Sequence, residues 1–514
     1  MIPMTLRRIA EVVGGELHDA PDDSVEVTGT VEFDSRKIEQ GDLFLALPGA
    51  AVDGHEFAAR AVESGAVAVL AARPVGVPAI VAPAVSGQQG GEWAGTAMAL
   101  EHDTDGSGAA VLEAFARLAR ASVDELARDH GLTVVGVTGS AGKTSTKDLI
   151  AATLAPLGAV IAPPGSFNNE IGHPWTALRA TSATDFLVLE MSARGPGHIA
   201  ALAETAPPRI GIVLNVGTAH LGEFGSREMI ARTKGELPAS LPPADQGGVA
   251  ILNADDPLVA AMAERTTARV VLVGQSEKAQ VRAVDLVLDD QARATFQLVT
   301  PAGEIPVRLA VHGEHLVTNA LCAAAVALEC GATLQQVADA LAGAKGASGR
   351  RMEVTERADG VMVINDSYNA NPDAVRAALK ALVTMGRGGQ QRRRCWAVLG
   401  EMGELGDESV VEHDLIGRQA VRLLIDRLIV VGTGRPSHAM HQGAVMEGSW
   451  NNESMLVDDA EAALSILRDE LAPGDIVLVK ASKAVGLWTV AEALIADAPA
   501  APATESADGT ENIQ

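Results

Sequence analysis

The chain has 514 residues, which exceeds one ordinary domain and predicts about three. Hydrophobic residues at 47% and charged residues at 21% are typical of a globular protein, whereas the formal net charge of -26 argues against a nucleic-acid motor or a membrane-surface binder, since both need basic faces. The N-terminus does not resemble a signal peptide and no apolar run could span a bilayer, so we expect a cytoplasmic protein that binds no nucleic acid and has no membrane insertion.

Residues 1–108 form the predicted N-terminal domain. Strand-like runs and a helix that ends near Gly65 indicate an α/β unit up to about residue 83. Asp34, Ser35 and Arg36 lie in a loop between two strand-like runs, where such a triplet either reads a ligand or makes an ordinary turn. Residues 84–108 are rich in Gly, Ser, Thr and Asp, which predicts a flexible insertion without site chemistry.

A phosphate-binding loop is the strongest single motif. The apolar run from Leu132 to Val137 predicts a buried parallel strand, and a helix is predicted from Thr144 through Leu157. Between them, loop amides and the helix N-terminus would hold phosphate oxygens, Lys143 would add a charge, and the Thr144 hydroxyl could ligate Mg²⁺. The general pattern requires glycine at 137, so this is a compact variant. The predicted nucleotide-binding residues are Gly139, Ser140, Ala141, Gly142, Lys143, Thr144 and Ser145.

Strands and helices are predicted to alternate through a central domain, residues 109–346, with a first helix from about Val111 to Asp129. Polar residues follow its apolar strands, where α/β folds place ligand contacts. They are Glu190, Asn215 with His220, and Asn253 with Asp255 and Asp256. We interpret the two aspartates as a helix cap before Pro257 and leave them outside the site. A further helix is predicted over 313–331.

A third alternating α/β segment, residues 347–495, completes the predicted domains. A polar loop precedes its helix at Pro372, and the composition of 496–514 predicts a disordered tail. The run from Arg392 to Arg394 is interpreted as a solvated loop rather than a phosphate patch. The three cysteines have neither metal-site spacing nor a disulfide pattern, and we interpret them as small buried hydrophobes: Cys322, Cys330 and Cys395.

Seven motifs occur in a specific order: TGSAGKT, the strand ending in Glu190, NVGTAHLGEFGS, ARTKGEL, VTNALCAA, SGRRMEV and INDSYNANP. This ordered set resembles the Mur ligase family of ATP-dependent amide-forming enzymes across nearly the whole chain. FDSRKIEQGDLFLALPG, SFNNEIGHP and DSYNANP are similar to the last-acting member. The resemblance implies an α/β protein of three domains. These are an N-terminal uridine-nucleotide-binding domain, a central P-loop ATPase with a mostly parallel sheet, and a C-terminal Rossmann-like domain.

The resemblance also implies a reaction. ATP would phosphorylate the carboxylate of UDP-MurNAc-tripeptide, and D-Ala-D-Ala would attack the acyl phosphate to give UDP-MurNAc-pentapeptide. The group that takes the proton of the attacking amine is not identified. Mg²⁺ would serve as the metal, and we expect a monomer.

The family's catalytic residues carry over by motif. Thr144 and Glu190 are implied to hold one metal beside the phosphates, and His220 helps place a second. Lys234 matches the family lysine that is carbamylated to N-carboxylysine, which replaces a cation by a carboxylate-like group near that metal. The remaining implied roles are phosphate neutralisation by Lys143, ATP contact by Asn319, and contacts to the nucleotide upon domain closure by Arg351 and Asp366. Arg351 is chosen over Arg350 because the family arginine precedes an apolar residue, here Met352.

Substrate-binding residues are implied in three loops. The first two match loops that contact the nucleotide-sugar substrate, and the third supplies our candidates for the dipeptide end. They are Asp34, Ser35 and Arg36; Asn168 and Asn169; and Tyr368, Asn369 and Asn371. The chain departs from the family where Ala481 and Ala484 replace glycine in a late loop, which leaves contacts of that loop open.

Two alternatives remain to be separated. A sister ligase that adds the third amino acid would share the central domain, but the Asp-Asn-Pro-Arg signature of the diaminopimelate-adding form is absent, and a folylpolyglutamate-type ligase would not need the N-terminal motif. A nucleotide-dependent switch or an interaction scaffold that has lost its chemistry is the rival from another class. The presence of Lys143, Glu190, His220, Lys234 and Asp366 argues against lost chemistry.

Overall fold

The structure is a computed structural model that describes residues 1–49, 52–84, 100, 103–217, 221–448 and 454–497. Three α/β domains, each built on its own main sheet, confirm the predicted fold class. No helix within these ranges combines the length and apolar character needed to cross a membrane.

A five-stranded sheet organises the N-terminal domain, with strand order β2-β7-β6-β5-β4 and an antiparallel pair only at β2–β7. Strands β1 and β3 form a separate antiparallel pair. Thr5 caps the first helix, since its side chain accepts a hydrogen bond from the backbone N–H of Arg8. The elements are β1 (Met4–Thr5), α1 (Leu6–Val13), β2 (Glu16–His18), β3 (Glu26–Val27), β4 (Val31–Glu32), β5 (Leu43–Leu45), α2 (Ala58–Glu63), β6 (Ala68–Ala71) and β7 (Ala79–Val81).

A nine-stranded sheet organises the central domain, with strand order β16-β15-β14-β13-β12-β11-β8-β10-β9. The seven strands β14, β13, β12, β11, β8, β10 and β9 pair in parallel with their neighbours. Strands β14, β15 and β16 form an antiparallel meander. The elements are α3 (Ser107–His130), β8 (Thr133–Thr138), α4 (Lys143–Leu154), β9 (Val160–Ile161), α5 (Gly172–Ala177), β10 (Phe186–Glu190), α6 (His198–Thr205), β11 (Ile210–Val213), α7 (Leu221–Phe224), α8 (Arg227–Lys234), α9 (Glu236–Ala239), β12 (Val249–Asn253), α10 (Pro257–Ala260), β13 (Arg269–Gly274), β14 (Val281–Leu288), β15 (Arg293–Thr300), β16 (Gly303–His312), α11 (Leu316–Glu329) and α12 (Leu334–Gly343).

A six-stranded sheet organises the C-terminal domain, with strand order β17-β18-β22-β19-β20-β21 and one antiparallel pair, β17–β18. Its inner strands, β18, β22, β19 and β20, are mostly apolar and buried, as expected for a parallel sheet, whereas the edge strand β17 is exposed or half-buried. The elements are β17 (Glu353–Glu356), β18 (Met362–Asn365), α13 (Pro372–Gly388), β19 (Cys395–Leu399), α14 (Ser409–Arg422), β20 (Arg427–Val431), α15 (Arg435–Glu447), β21 (Ser454–Val457), α16 (Ala460–Glu470), β22 (Ile476–Lys480) and α17 (Trp488–Ala496).

The chain divides into two compact units. The first comprises Met1–Leu288, Arg293–Gly349 and Glu404–Gly406, and the second comprises Asp289–Ala292, Arg350–Gly403 and the described residues from Asp407 onward. The N-terminal and central sheets share the first unit because α3 contributes buried side chains, among them Phe115 and Leu118, to one core with both. The predicted domain boundaries stay predictions.

Most predicted elements lie where the sequence pattern indicates, with differences at their ends. The helix predicted from Val111 begins at Ser107, inside the predicted insertion, and the helix predicted through Leu157 ends at Leu154. The predicted alternation of strands and helices is wrong over 281–312. The turns after β14 and β15 are too short for a helical crossover, so these strands pair as neighbours in an antiparallel meander.

Several other predictions have definite outcomes. Asp256 caps α10 as expected, since its carboxylate accepts hydrogen bonds from the N–H groups of Leu258 and Val259. The three cysteines are free, and Cys322 and Cys395 are buried while Cys330 is half-buried. His220, most of the predicted insertion and all but the first two residues of the predicted tail lie outside the described residues.

Candidate active site

The predicted phosphate loop joins β8 to α4 at the carboxyl edge of the parallel strands. Gly142 immediately precedes the helix with φ of +87°, a left-handed conformation that favours glycine. A Cβ at Gly142 would lie 3.0 Å from Oδ1 of Asn319, so a side chain there would press on that buried amide. The Lys143 ammonium donates to the carbonyl oxygen of Gly139 at 2.7 Å, which places its charge over the loop. The loop therefore has the form of a phosphate cradle.

Glu190 is a buried carboxylate that contacts the start of α4. It ends β10, whose parallel pairing with β8 sets Glu190 beside Val137. Its Oε2 atom accepts hydrogen bonds from the hydroxyls of Thr144 at 3.1 Å and Ser166 at 3.0 Å, whereas its buried Oε1 atom has no hydrogen-bond partner among the described residues. Because a buried carboxylate oxygen is costly to leave unpaired, this atom indicates a position for a cation.

A hard divalent cation fits this donor set. The hydroxyl oxygen of Thr144 and the carboxylate of Glu190 are oxygen ligands of the kind Mg²⁺ prefers, and both residues are 2% exposed. Within the described ranges no cluster of three His, Cys, Asp or Glu side chains has metal-binding geometry.

Lys234 ends α8 and is 5% exposed. Burial away from water, together with the nearby positive charge of Lys143, lowers the pKa of Lys234 well below its ordinary value. The neutral amine is therefore favoured, and a neutral amine is the form that can react with carbon dioxide.

Asn319 lies on α11 beside the loop. Its side chain is buried, at 4% exposure, and its Nδ2 group has no hydrogen-bond partner among the described residues. An unpaired buried amide donor next to Gly142 can bind a polar group of a ligand held by the loop. This position agrees with the predicted nucleotide contact, which stays a prediction.

Asn215 follows a strand, as predicted, but it was not among the predicted site residues. Its Oδ1 atom accepts the N–H of Ala141 at 2.9 Å and its Nδ2 group donates to the carbonyl oxygen of Ala141 at 3.1 Å. The backbone N–H of Ser140 donates to the carbonyl oxygen of Asn215 at 3.2 Å. The amides of Ser140 and Ala141, which were predicted to bind phosphate, are therefore used to hold the loop.

Two predicted substrate loops meet within the first unit. Trp175 on α5 packs against Phe167 at 4.5 Å between ring centroids and against Phe33 at 6.3 Å. Its indole N–H and the guanidinium of Arg179 both donate to Glu32, at 3.3 and 2.8 Å. These side chains, which sequence reasoning missed, connect the loop after β4 with the loop before α5. Their only signal in the sequence is the clustering of scarce aromatic residues near the two motifs.

Within these loops, several predicted substrate residues have internal partners. Asp34 accepts hydrogen bonds from the backbone and guanidinium of Arg36, which lowers the pKa of the Asp34 carboxyl to about 2. Asn168 donates to the Ser166 hydroxyl at 2.7 Å, and Asn169 accepts the N–H of Gly172 at the start of α5. Asn168 is thus connected to Glu190 through the Ser166 hydroxyl.

The second unit holds the remaining predicted residues. Asp366 follows β18; its Oδ1 atom accepts the N–H of Met352 at 3.1 Å and its Oδ2 atom accepts the Lys480 ammonium at 2.6 Å. The guanidinium of Arg351 lies 4.0 Å from the centre of the Tyr368 ring, a cation–π contact. Lys480, at the end of the apolar strand β22, is an ion-pair partner of Asp366 that was not predicted from the sequence.

Two arginines and two asparagines of this unit differ in their partners and in their exposure. Arg350 pairs with Glu492 at 2.7 Å, so the two neighbouring arginines have different partners. Asn371 caps α13 by accepting the N–H of Ala374 at 2.9 Å, whereas Asn369 is exposed. The arginines from 392 to 394 lie in a loop before β19 and are exposed or half-buried, and each pairs with a carboxylate: Asp426, Glu356 and Asp475.

Comparison with known proteins follows the same division of the chain. The Mur ligase family catalytic domain matches residues 29–102, the Mur ligase middle domain matches 137–327, and the glutamate ligase domain of Mur ligases matches 350–483. Each match falls on one of the three main sheets.

Relatives match over nearly their full length. The UDP-N-acetylmuramoyl-tripeptide–D-alanyl-D-alanine ligase of Mycobacterium tuberculosis is 59% identical over 97% of this chain and 98% of its own length, and that of Escherichia coli is 32% identical over 96% and 99%.

Solved structures agree with this comparison. The MurF crystal structure from Acinetobacter baumannii has a TM-score of 0.80 at 30% identity, covering 96% of this chain and 99% of that chain. The MurF ligase from Thermotoga maritima in complex with ADP has a TM-score of 0.73 at 28% identity, covering 91% and 97%. The ordered motifs, the three sheets and these full-length matches lead to one conclusion: the chain belongs to the Mur ligase family.

Proposed function

We propose that this enzyme joins D-Ala-D-Ala to UDP-MurNAc-tripeptide at the expense of ATP, giving UDP-MurNAc-pentapeptide, ADP and phosphate for peptidoglycan synthesis. The observation that carries the proposal is the 59% identity, over 97% of the chain, to ligases named for these two substrates. The buried Thr144–Glu190 pair beside the phosphate loop supports it, because a scaffold without chemistry would have no need of an unpaired buried carboxylate oxygen.

The first step brings two anions together. The tripeptide carboxylate attacks the γ-phosphorus of ATP, the bond from phosphorus to the bridging oxygen breaks, and ADP leaves. At 4 Å, two unit charges interact by about 4 kcal/mol at an effective dielectric of 20, so the repulsion must be offset. Lys143, whose ammonium lies over the loop, supplies one positive charge, and the amides at the start of α4 add partial charge.

Thr144 and Glu190 would hold Mg²⁺ beside the phosphates, and His220 would help place a second ion. When bound, Mg²⁺ would offset negative charge on the phosphate oxygens. The unpaired Oε1 atom of Glu190 supports this role, and Ser166 keeps the other oxygen oriented through its hydroxyl. Lys143, Arg351 and Asp366 are proposed as the other catalytic residues.

Lys234 is proposed to carry N-carboxylysine. The neutral amine attacks the carbon of carbon dioxide, a C–N bond forms, and one proton is released, which leaves a carbamate with one negative charge. The lowered pKa of Lys234 favours that neutral amine, since burial and the charge of Lys143 disfavour the ammonium. The modification would turn a buried neutral amine into an anion beside the proposed metal.

In the second step the dipeptide amine attacks the acyl phosphate carbon, the carbon–oxygen bond to phosphate breaks, and an acceptor takes the amine proton. The nucleotide sugar is proposed to bind Asp34, Ser35, Arg36, Asn168 and Asn169, and the dipeptide to bind Tyr368, Asn369 and Asn371. Asn369 is the exposed member of the latter group, and Asn371 is already a helix cap. We further propose that the enzyme acts as a monomer in the cytoplasm.

A phosphate-release assay with paired substrates tests the proposal. With ATP and Mg²⁺ present, phosphate release should require UDP-MurNAc-tripeptide and D-Ala-D-Ala together, and mass spectrometry should detect the pentapeptide product. Lys143→Met should abolish release, while Lys345→Met, at an exposed position, should not. Release that does not depend on the dipeptide would reject this function in favour of a sister ligase or a nucleotide switch.

A further inference from the structure

A buried polar cluster lies on the phosphate-loop helix, one turn beyond Lys143. It consists of Lys147, Asp148 and Ser348, which are 3%, 7% and 5% exposed, and is called here the Asp148 cluster. The Lys147 ammonium lies 2.9 Å from Oδ1 of Asp148. Ser348 donates to the same carboxylate twice, from its backbone N–H at 2.9 Å and from its hydroxyl at 3.1 Å. All three residues belong to the first unit.

This cluster binds the loop between β9 and α5. The Lys147 ammonium donates to the carbonyl oxygen of Pro163 at 2.5 Å, and the Ser348 hydroxyl accepts the backbone N–H of Gly165 at 3.0 Å. The hydroxyl of Ser348 thus donates to the helix and accepts from the loop at the same time. The loop is fixed at two points, three residues or fewer from Ser166: directly to α4 through Lys147, and indirectly through Ser348, which bonds to Asp148 on α4.

The same loop leads directly to the candidate active site. Ser166 donates to Oε2 of Glu190 at 3.0 Å, and Asn168 donates to the Ser166 hydroxyl at 2.7 Å. Thr144, on the same helix as the cluster, donates to that same Glu190 atom at 3.1 Å. The position of Ser166 and Asn168 relative to Glu190 therefore depends on how the loop is attached to α4.

Stability alone does not account for such a cluster. Burying a lysine and an aspartate costs desolvation free energy, and apolar side chains of similar volume often stabilise a fold as well or better. What a fully bonded polar cluster adds is a single arrangement, because each donor and acceptor direction has to be met. A second sphere of this kind around catalytic groups commonly changes activity by 10- to 100-fold when it is removed.

We propose that Asp148 and Ser348 are positioning residues that set the loop bearing Ser166 and Asn168 against Glu190, and so control productive binding of the nucleotide-sugar substrate. This inference rests on the proposed function, since the substrate is taken from it. Neither residue contacts ATP or the reacting carboxylate in this scheme. They act through the backbone at Pro163 and Gly165.

Ser348→Ala is the most selective variant. It removes the hydroxyl that accepts from Gly165 but keeps the backbone N–H bond to Asp148 and the ion pair with Lys147. We expect the KM for UDP-MurNAc-tripeptide to rise about tenfold, while the Kd for ADP stays unchanged because the phosphate loop is intact. Ser348→Thr keeps a hydroxyl and should restore the KM. Ser122→Ala is the matched control, since Ser122 is buried and its hydroxyl has no partner among the described residues.

Hydrogen–deuterium exchange gives a readout that is independent of turnover. In Ser348→Ala, the peptide that spans residues 163–168 should exchange faster, whereas α4 should exchange as in the unmodified enzyme. Asp148→Asn, which keeps the side-chain volume, should give the same pattern and serves as the test if the alanine variant does not fold.

Three results would overturn the proposal. They are an unchanged exchange rate in residues 163–168, an equal loss of affinity for ADP and for the nucleotide sugar, or a threonine variant that behaves like alanine. Failure of the proposed function is recognised separately, because it would appear in the unmodified enzyme as phosphate release that does not require both substrates, while the exchange result at Gly165 would still stand or fall by itself.

Discussion

Glu190 and Asp366 look alike in the sequence, because each carboxylate follows an apolar strand of a parallel sheet. Their surroundings differ. Glu190 receives two hydroxyl donors on one oxygen and none on the other, whereas both oxygens of Asp366 are taken, one by a backbone N–H and one by Lys480. One oxygen of Glu190 is therefore unpaired among the described residues, whereas the charge of Asp366 is already balanced inside its own unit.

This difference separates two uses of the same side chain. A carboxylate with an unpaired buried oxygen gains most when a ligand arrives, since the cost of burial is then repaid. A carboxylate bonded to a buried lysine instead orients the backbone that it touches, here at Met352 next to Arg351. Substitutions of these residues and their neighbours should therefore change activity, stability or ligand binding by different amounts.

The largest effect is expected at the unpaired carboxylate. Glu190→Gln should lower kcat by about 10³-fold. Loss of the carboxylate charge weakens the proposed cation site, and the negative charge on the phosphates is then no longer offset by that cation. Asp366→Asn should lower it less, by about tenfold, since Lys480 already balances that charge. Steady-state phosphate release measures both. Equal losses in the two variants would break the comparison.

Lys234 tests whether the first site needs a second anion. Lys234→Ala should lower activity by about 10²-fold, and short carboxylic acids such as acetate should restore part of it by occupying the place of the carbamate. Depletion of dissolved carbon dioxide should lower the activity of the unmodified enzyme, and bicarbonate should restore it. Lys345→Ala, at an exposed position, is the control. Full activity of Lys234→Ala without added acid would contradict the carbamate.

The two units also contain contrasting buried histidines. In His173, Nδ1 lies 3.3 Å from the carbonyl oxygen of Glu190 while Nε2 has no partner among the described residues; in His413 both ring nitrogens have backbone partners. Burial lowers the pKa of both, and that of His173 falls to about 4. His173 therefore stays neutral in the fold while the unfolded histidine takes up a proton below about pH 6.5.

Acidification should destabilise the fold through His173. The free energy of unfolding should fall as the pH drops from about 6.5 towards 4, by about 3 kcal/mol from His173, because the unfolded state binds the extra proton. Urea unfolding of the unmodified chain and of His173→Asn at several pH values measures it. The variant should lose less stability on acidification, and an identical pH slope in the two proteins would contradict the prediction.

Asn215 tests how much the phosphate loop depends on its clamp. Asn215→Ala removes both side-chain bonds to Ala141, so the Kd for ADP should rise about tenfold through a looser loop. Isothermal calorimetry measures this directly. Asn215→Asp keeps the acceptor for the Ala141 N–H but places a negative charge near the phosphates, and should bind ADP at least as weakly as the alanine variant.

The smallest effect concerns the asparagines of the second unit. Asn371→Ala should lower the free energy of unfolding by about 1 kcal/mol, because Asn371 caps α13. Asn369→Ala should leave stability unchanged and raise the KM for D-Ala-D-Ala, since Asn369 is exposed. Chemical denaturation and dipeptide titration distinguish the two. A KM effect at Asn371 larger than that at Asn369 would reverse this assignment.

Much of the fold was predictable because its signals are local. Apolar runs of four to six residues, each followed by polar or glycine-rich loops, mark the parallel strands, and Thr5, Asp256 and Asn371 mark helix starts. Where the prediction was wrong, at residues 281–312, connection length decided the topology. Alternating patterns there were compatible with strands, and short turns forced neighbouring strands to pair antiparallel.

The sequence by itself determined the membership in the Mur ligase family, the three α/β domains and the phosphate loop, because these depend on ordered motifs and on local periodicity. The tertiary structure alone decided the state of each polar atom. It brought Ser166 to Glu190, Asn215 to Ala141, Lys480 to Asp366 and Ser348 to Asp148, over separations of 24 to 200 residues. Burial and hydrogen-bond satisfaction depend on which distant segments meet, and no local pattern of residues encodes that.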